Sequence, residues 1–376
     1  MRRRTIVRTV GALAGMTACG LVAVLTLPAG AADRAAPTEI RVSESSTGAP
    51  ADESAGNPAM SGDGRYVVFE SKATNLTAGA DDFRNRVFLR DLRTGQVRAL
   101  PSAIGDDSGD HAWFSPNGTH FVVGSTDGFA VYDAATGAVR YTVAVGANAA
   151  EPRVTDDGRS LFYVDYSLTR GVTRFVVFDS ATGENRAVPL PGFTRDPGNP
   201  QLSGDGRYLA FETAQSLVPT DTDGFTDVYR ADLTTGELLR VSVTTDGGPI
   251  LAGESFMPRM SADGRYIVFQ SEESPFDRLG GVYLRDVRGG TTEAVTTYAQ
   301  GIGLAAPDVS DDGRYVSFVE GTGVVKVRDR RSGQVRVAVD PERVQPTQLS
   351  SDGRTLVYAA VTAGFDPSQV YVRTLG

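Results

Sequence analysis

Residues 65–71 read RYVVFES, a strand-length run that is apolar on both of its faces. Successive side chains of a strand point to opposite sides, so Tyr66 and Val68 share one face and Val67 and Phe69 the other. A strand with no polar face belongs inside a packed stack, not in an open sheet with one wet side. The run recurs. Residues 61–71, SGDGRYVVFES, return as SPNGTHFVVGS from Ser115, TDDGRSLFYVD from Thr155 and SGDGRYLAFET from Ser203. They return again as SADGRYIVFQS from Ser261, SDDGRYVSFVE from Ser310 and SSDGRTLVYAA from Ser350. Copies 40 to 58 residues apart each leave room for about four short strands, the size of a propeller blade.

A second phrase follows each copy: a strand ending in Asp, then two residues, then Thr-Gly. It is VFLRDLRTG ending at Gly95, FAVYDAATG at Gly137, FVVFDSATG at Gly183 and VYRADLTTG at Gly236. Weaker copies end at Gly290 and Gly333, and the seventh is VYVRTLG, ending at Gly376. Each unit therefore reads as four antiparallel strands, in the first case NPAM, RYVVF, VFLRD and QVRAL. Prolines 58, 152, 200, 258 and 307 stand three residues before the S-x-D-G phrase, and Pro346 stands four before it, which suggests one extra residue there. Proline avoids interior ladder positions, so these residues are expected to mark where the innermost strand begins.

The two phrases carry turn chemistry. The first residue of S-x-D-G can accept a hydrogen bond across the turn. Pro116 in SPNG holds φ near −65°, which suits a type I turn and excludes a type I′ turn. The Gly then takes a left-handed bulge position. In D-x-x-T-G the Asp can bond backbone N–H groups two residues on, and the Gly supplies φ > 0. Acids repeated in nearly every unit are structural by this reading, not catalytic.

The seventh unit lacks a fourth strand. Residues 39–43, EIRVS, match the fourth strand LLRVS at 238–242. They are predicted to pair beside residues 370–374 and close the ring, which removes an exposed edge. The expectation is an all-β chain: a seven-bladed propeller over 39–376, with blade motifs starting at 61, 115, 155, 203, 261, 310 and 350, and six blades as the alternative count.

At this point the phrase P-x-x-S-x-D-G-R resembles the WD40-like (PD40) repeat of TolB-type β-propellers, over residues 39–376. The same repeat is found in the propellers of tricorn-type and prolyl-oligopeptidase-type peptidases. The resemblance implies a propeller and a protein-binding role. The chain departs from these groups in lacking TolB's amino-terminal α/β domain and the peptidases' G-x-S-x-G nucleophile, and in having seven units where TolB usually has six blades.

Residues 1–31 have a basic start, an apolar middle and small residues around Ala29-Gly30-Ala31, the pattern of an export signal. A single anchoring helix is the alternative. Arg3 and Arg4 resemble a twin-arginine signal, with a general secretory signal carrying extra arginines as the alternative. Residues 32–38 form a short linker. The expected location is secreted, extracellular or periplasmic. Cys19, the only cysteine, lies in the leader, so the exported chain carries no disulfide or thiolate site. The net charge of −9 becomes more negative once the leader's arginines are set aside. An acidic surface argues against nucleic acid or anionic lipid as a partner, and no later run could span a membrane. A monomer is expected.

Catalytic candidates are few. His111 and His120 flank one hairpin, and neither faces an identifiable activated Ser, so no catalytic residue is assigned. Asp221, Asp223 and Asp227 in DTDGFTD place alternate acids near a glycine, as oxygen-ligand loops for calcium do, although the distant Glu of an EF-hand is missing. The matching loop of the first unit keeps only Asp81 and Asp82. Loop length adds a further clue. All tight turns fall on one side of the ring, and the long stretches 72–85, 102–110, 214–226, 244–256 and 272–280 fall on the other, several of them acidic (Asp106, Asp107, Asp110, Glu272, Glu273). Binding residues concentrate on such loops. The function expected first is a non-enzymatic binding or scaffold module for an extracellular or cell-envelope protein or glycan. The alternatives are a propeller lyase or lactonase with its site at the channel mouth, and a TolB-like periplasmic translocation partner.

Overall fold

The computed structural model describes residues 38–79, 84–101, 111–146, 148–166, 173–194, 197–248, 250, 253–272, 280–298, 305–320, 323–339, 344–360 and 367–375. The leader and most of the linker lie outside them. The described residues form seven four-stranded antiparallel sheets and no helix. In the first blade the strands run Ala55–Met60, Tyr66–Ser71, Arg86–Asp91 and Val97–Ala99, from inside to outside. Each innermost strand touches that of the next blade, and the seventh touches the first, so the ring is closed. This is a seven-bladed β-propeller.

The strand Glu39–Arg41 supplies the fourth strand of the seventh blade. Glu39 faces Arg373, Ile40 faces Val372 and Arg41 faces Tyr371. Val42 N–H continues the ladder to the Val370 carbonyl at 2.8 Å. The likeness of EIRVS to LLRVS extends to individual bonds. Ser43 Oγ accepts from Val370 N–H at 3.0 Å, and Ser242 Oγ accepts from Val228 N–H at 3.1 Å. In each blade this serine also donates to the first residue of the third strand, Gln369 or Asp227.

The doubly apolar strands are buried on both sides, as their pattern requires. Val67 and Phe69 pack with Val357, Val370 and Val372 of the seventh blade. Tyr66 and Val68 pack with Leu89, Phe121 and Tyr132 toward the second. Each fully buried Val or Phe contributes roughly 1.5–3 kcal/mol, so the stack of blades is itself the core.

The S-x-D-G phrases form the expected turns, with Gly64, Gly118, Gly158, Gly206, Gly264, Gly313 and Gly353 all at φ of 67–75°. In the first, Gly64 N–H bonds the Ser61 carbonyl at 2.8 Å, and Tyr66 N–H bonds Ser61 Oγ at 2.8 Å. The arginine that follows the turn has a partner that strand patterning does not reveal. Its guanidinium pairs with the Asp of D-x-x-T-G in the same blade: Arg65 with Asp91, Arg159 with Asp179, Arg207 with Asp232, Arg265 with Asp286 and Arg314 with Asp329.

The prolines do not mark the start of the inner strands. Pro58 is the fourth residue of Ala55–Met60 and lies inside a bulge between Gly56 and Ala59. The residue before proline is left-handed in four blades: Asn57, Glu151, Asn199 and Met257, at φ of 48–55°. Such positions cost of order 1–3 kcal/mol for a residue with a side chain. The bulge lets proline, which has no N–H, stay inside the strand without breaking a ladder bond. The seventh blade has no extra residue. Its bulge spans the same two positions, and Pro346 takes the first of them where Pro58 takes the second.

Candidate functional site

Three places in the fold bear on function: the loop holding the three aspartates, the axial channel, and the side of the ring that carries the long loops. In an antiparallel blade the connections alternate between the two ends. The S-x-D-G and D-x-x-T-G turns therefore share one side, and the connections from second to third strand and from blade to blade share the other.

The loop 214–226 joins Tyr208–Thr213 to Asp227–Asp232 on that second side. Candidate ligand oxygens of Asp221, Asp223 and Asp227 lie within 4.8 Å of one another. A cation of the chain already stands among them. Arg240, from the fourth strand of the same blade, places Nη2 2.7 Å from Asp223 Oδ2 and 2.7 Å from Asp227 Oδ2, with Nη1 3.8 Å from Asp221 Oδ1. The Tyr229 hydroxyl donates to Asp221, and Ser242 Oγ donates to Asp227 Oδ1 at 2.6 Å. Burial pushes Asp227 up to about 6, against the opposing pull of Ser242 and Arg240. Asp223 is also penalised by burial, but the guanidinium bond holds it below the ordinary carboxylate value. The cluster ties the loop to the third and fourth strands of its own blade and to the connection beyond.

Two stretches on the same side, at the first blade, are also tied down. Asp52 accepts from Thr74 N–H and Oγ1 at 2.8 and 2.6 Å, and Asn75 Nδ2 donates to the Pro50 carbonyl at 2.7 Å. Arg90 reaches the Glu44 carbonyl and carboxylate at 2.8 and 3.1 Å. Glu272 accepts from Gln270 at 3.0 Å. Asp81, Asp82, Asp106, Asp107, Asp110 and Glu273 lie outside the described residues.

The histidines do different things. His120 occupies the position held by Tyr66, Tyr208, Tyr266 and Tyr315 in other blades. It packs over Gly158 of the next turn as Tyr208 packs over Gly264. Arg140 donates to its Nε2, and its Nδ1 lies 3.1 Å from the Asp156 carbonyl. Burial, and next the charge of Arg140, push it below the ordinary imidazole value. His120 is thus a packed, neutral spacer. His111 stacks on Trp113, ring centres 5.8 Å apart, at the lining of the channel.

The channel encloses about 260 Å³. On the turn side it is drawn in by bonds between blades. Asp156 N–H bonds the Gly204 carbonyl, Gly204 that of Ala262, Asp311 that of Ser351, and Ser351 that of Gly62, each at 2.8–2.9 Å. Ala262 N–H bonds the Asp311 carboxylate at 2.9 Å. Inside, the residue two positions before each S-x-D-G phrase lines the lumen. In the sixth and seventh blades it ties blades together: Asp308 Oδ2 accepts Leu349 N–H and Gln348 Oε1 accepts Met60 N–H, both at 2.8 Å. In the third and fifth blades it is Arg153 and Arg259, and in the second it is Trp113, with the Arg153 guanidinium 5.1 Å from the Trp113 ring centre. Strand alternation alone does not reveal these residues, because the bulge breaks it just before them. Their signal is positional: a varied residue at one fixed place in an otherwise regular repeat.

With the propeller and its channel established, comparison with known proteins supports the fold. No family model matches the chain, and no curated protein matches it. Among solved structures it is similar to the oligogalacturonate lyase from Vibrio parahaemolyticus, with 13% identity, 90% of this chain and 97% of that one covered, and a TM-score of 0.63. It is similar to the β-propeller domain of the Trilobed protease from Pyrococcus furiosus, with 13% identity, 85% and 95% covered, and a TM-score of 0.57. TolB from Acinetobacter baumannii shares 17% identity over 83% of this chain and 80% of that one, at a TM-score of 0.46. For the lyase and the protease domain the likeness is one of fold, and fold does not carry function.

Proposed function

We propose that this chain is an exported binding or scaffold module, without a reaction of its own, for an extracellular or cell-envelope protein or glycan. Residues 1–31 serve as its export leader, and the contact is made by the side bearing the long loops. The observation that supports this reading is the anchoring of the loop 214–226 by Arg240 through three aspartates. A loop fixed before binding loses little further freedom on binding. Its exposed residues Ser216, Pro219, Thr220 and Thr222 are then presented on a rigid frame.

The test compares the wild-type protein with two variants on immobilised envelope glycans and secreted proteins of the source. One carries Ser216→Arg, Thr220→Arg and Thr222→Arg on the loop side. The other carries Thr94→Arg and Thr235→Arg on the turn side. Saturable binding that the loop-side variant loses and the turn-side variant keeps is the expected result. Equal binding by all three proteins would overturn the assignment. The lyases that share the fold are named for oligogalacturonate. Its consumption by the wild-type protein would favour the enzyme reading instead.

A further inference from the structure

We propose that the axial channel is a binding site for a small organic carboxylate, received by Arg153 and Arg259. The inference is independent of the loop-side partner and rests on two arginines that line the lumen at the variable position of the repeat. At this position of the repeat, Asp308 and Gln348 present acceptors to the backbone N–H of the next blade. A guanidinium has five donors and no acceptor, so it cannot make that bond. Arg153 and Arg259 therefore do not make the inter-blade bond that Asp308 and Gln348 make.

Apart from the Trp113 ring 5.1 Å from Arg153, their partners are few. Arg153 Nη1 donates to the Pro152 carbonyl at 2.9 Å, and Arg259 Nη1 donates to the Pro258 carbonyl at 3.0 Å. Among the described residues these are the hydrogen bonds the two guanidinium groups make, and neither group comes within ion-pair distance of a carboxylate. Both line the lumen. Burial lowers Arg153 to about 10, and the charge of Arg259 acts in the same direction, against Glu151. Two like charges held beside one cavity are a cost to the free protein that an anion between them relieves.

The nearby acids are engaged elsewhere. Glu212 accepts from Met257 N–H and from Asn199 Nδ2. Asp308 accepts from Leu349 N–H and Val309 N–H, at 2.8 and 2.9 Å. Burial raises both carboxyl groups above their ordinary values. Glu151 takes the Tyr166 hydroxyl at 3.4 Å. These acids temper the positive field of the two arginines, so a singly charged anion fits better than phosphate. A planar carboxylate also matches the fork of a guanidinium. The cavity of about 260 Å³ falls just below the range of about 300–1,000 Å³ that holds drug-sized ligands. The occupant is correspondingly small: a sugar acid or a short organic acid.

Calorimetric titration with D-gluconate and with L-lactate tests the proposal, using D-glucose as the uncharged control and inorganic phosphate as the competing anion. Saturable binding of gluconate or lactate, absent for glucose, is expected, and the tighter of the two tells a sugar acid from a short acid. Arg153→Gln and Arg259→Gln should each weaken it at least about tenfold. The bound acid should also raise the melting temperature of the wild-type protein by mass action, a readout that needs no variant to fold. Absence of both heat and thermal shift up to about 10 mM acid, well beyond millimolar affinity, would overturn the proposal. So would tighter binding of phosphate, or unchanged affinity in folded Arg153→Gln and Arg259→Gln proteins.

Discussion

At the scale of single residues, the aspartate loop shows what a local pattern conveys and what it omits. Three acids within seven residues are visible as a cluster in the sequence. Their counter-ion is not, because Arg240 reaches them through strand register, opposite Tyr229 in the neighbouring strand. Replacing Arg240 with Gln leaves three carboxylates around a buried site without their cation. Breaking a buried pair in this way costs about 3–5 kcal/mol. Calcium can then take the oxygens that the guanidinium held. Thermal melts with and without calcium should show a larger rise in melting temperature for Arg240→Gln than for the wild-type protein; equal rises would contradict this. Gly264 offers a second test. Its φ is 73°, and an added Cβ would lie 2.6 Å from the Tyr208 ring of the preceding blade. Gly264→Ala combines backbone strain of about 1–2 kcal/mol with that clash, and chemical denaturation should report a loss of at least this size.

At the scale of elements, the strands and their order were legible because each blade repeats the same apolar pattern and the same two turns. The closing strand was legible because EIRVS copies LLRVS. The bulges were not, since a left-handed residue before proline runs against the local preference for extended backbone and depends on distant partners, as Asn199 and Met257 do on Glu212. The same bulges hid the channel residues. The strand Glu39–Arg41 tests the closure. Removing it with its flanking residues exposes the edge of Gln369–Thr374, uncovers Val370 and deletes Val42, which is fully buried. Deleting residues 38–44 should lower the melting temperature by on the order of 10 °C. An unchanged melt would mean that the ring does not depend on this strand.

At the scale of the whole molecule, two populations of acids with opposite shifts set most of the response to pH, while His120, pushed below the ordinary imidazole value, costs stability as pH falls through about 6.5. Asp91, Asp232 and Asp286 are held down at about 2, first of all by their arginine partners. Asp329 lies lower still for the same reason. Between their folded values and the ordinary value near 4, the unfolded chain binds more protons than the native one. Stability is therefore lost as pH falls from about 4 to about 2. Glu70, Glu212, Asp156, Asp308 and Asp311 are raised by burial, and Asp227 is raised to about 6. For these the native state binds more protons, so stability grows as pH falls toward their ordinary values near 4, and for Asp227 that gain begins near pH 6. Relief of the self-repulsion of a chain with net charge −9 acts in the same direction. The two limbs meet on the acid side of neutrality. Melting temperature measured from pH 7 down to pH 2 should rise to a maximum at about pH 4–5 and then fall. Asp227→Asn should flatten the upper limb, because it removes a proton that only the folded state takes up near pH 6. Arg265→Gln should flatten the lower limb, because Asp286 then titrates near its ordinary value in both states. A melting temperature that declines steadily from pH 7 would show that the raised acids do not titrate in the native ring.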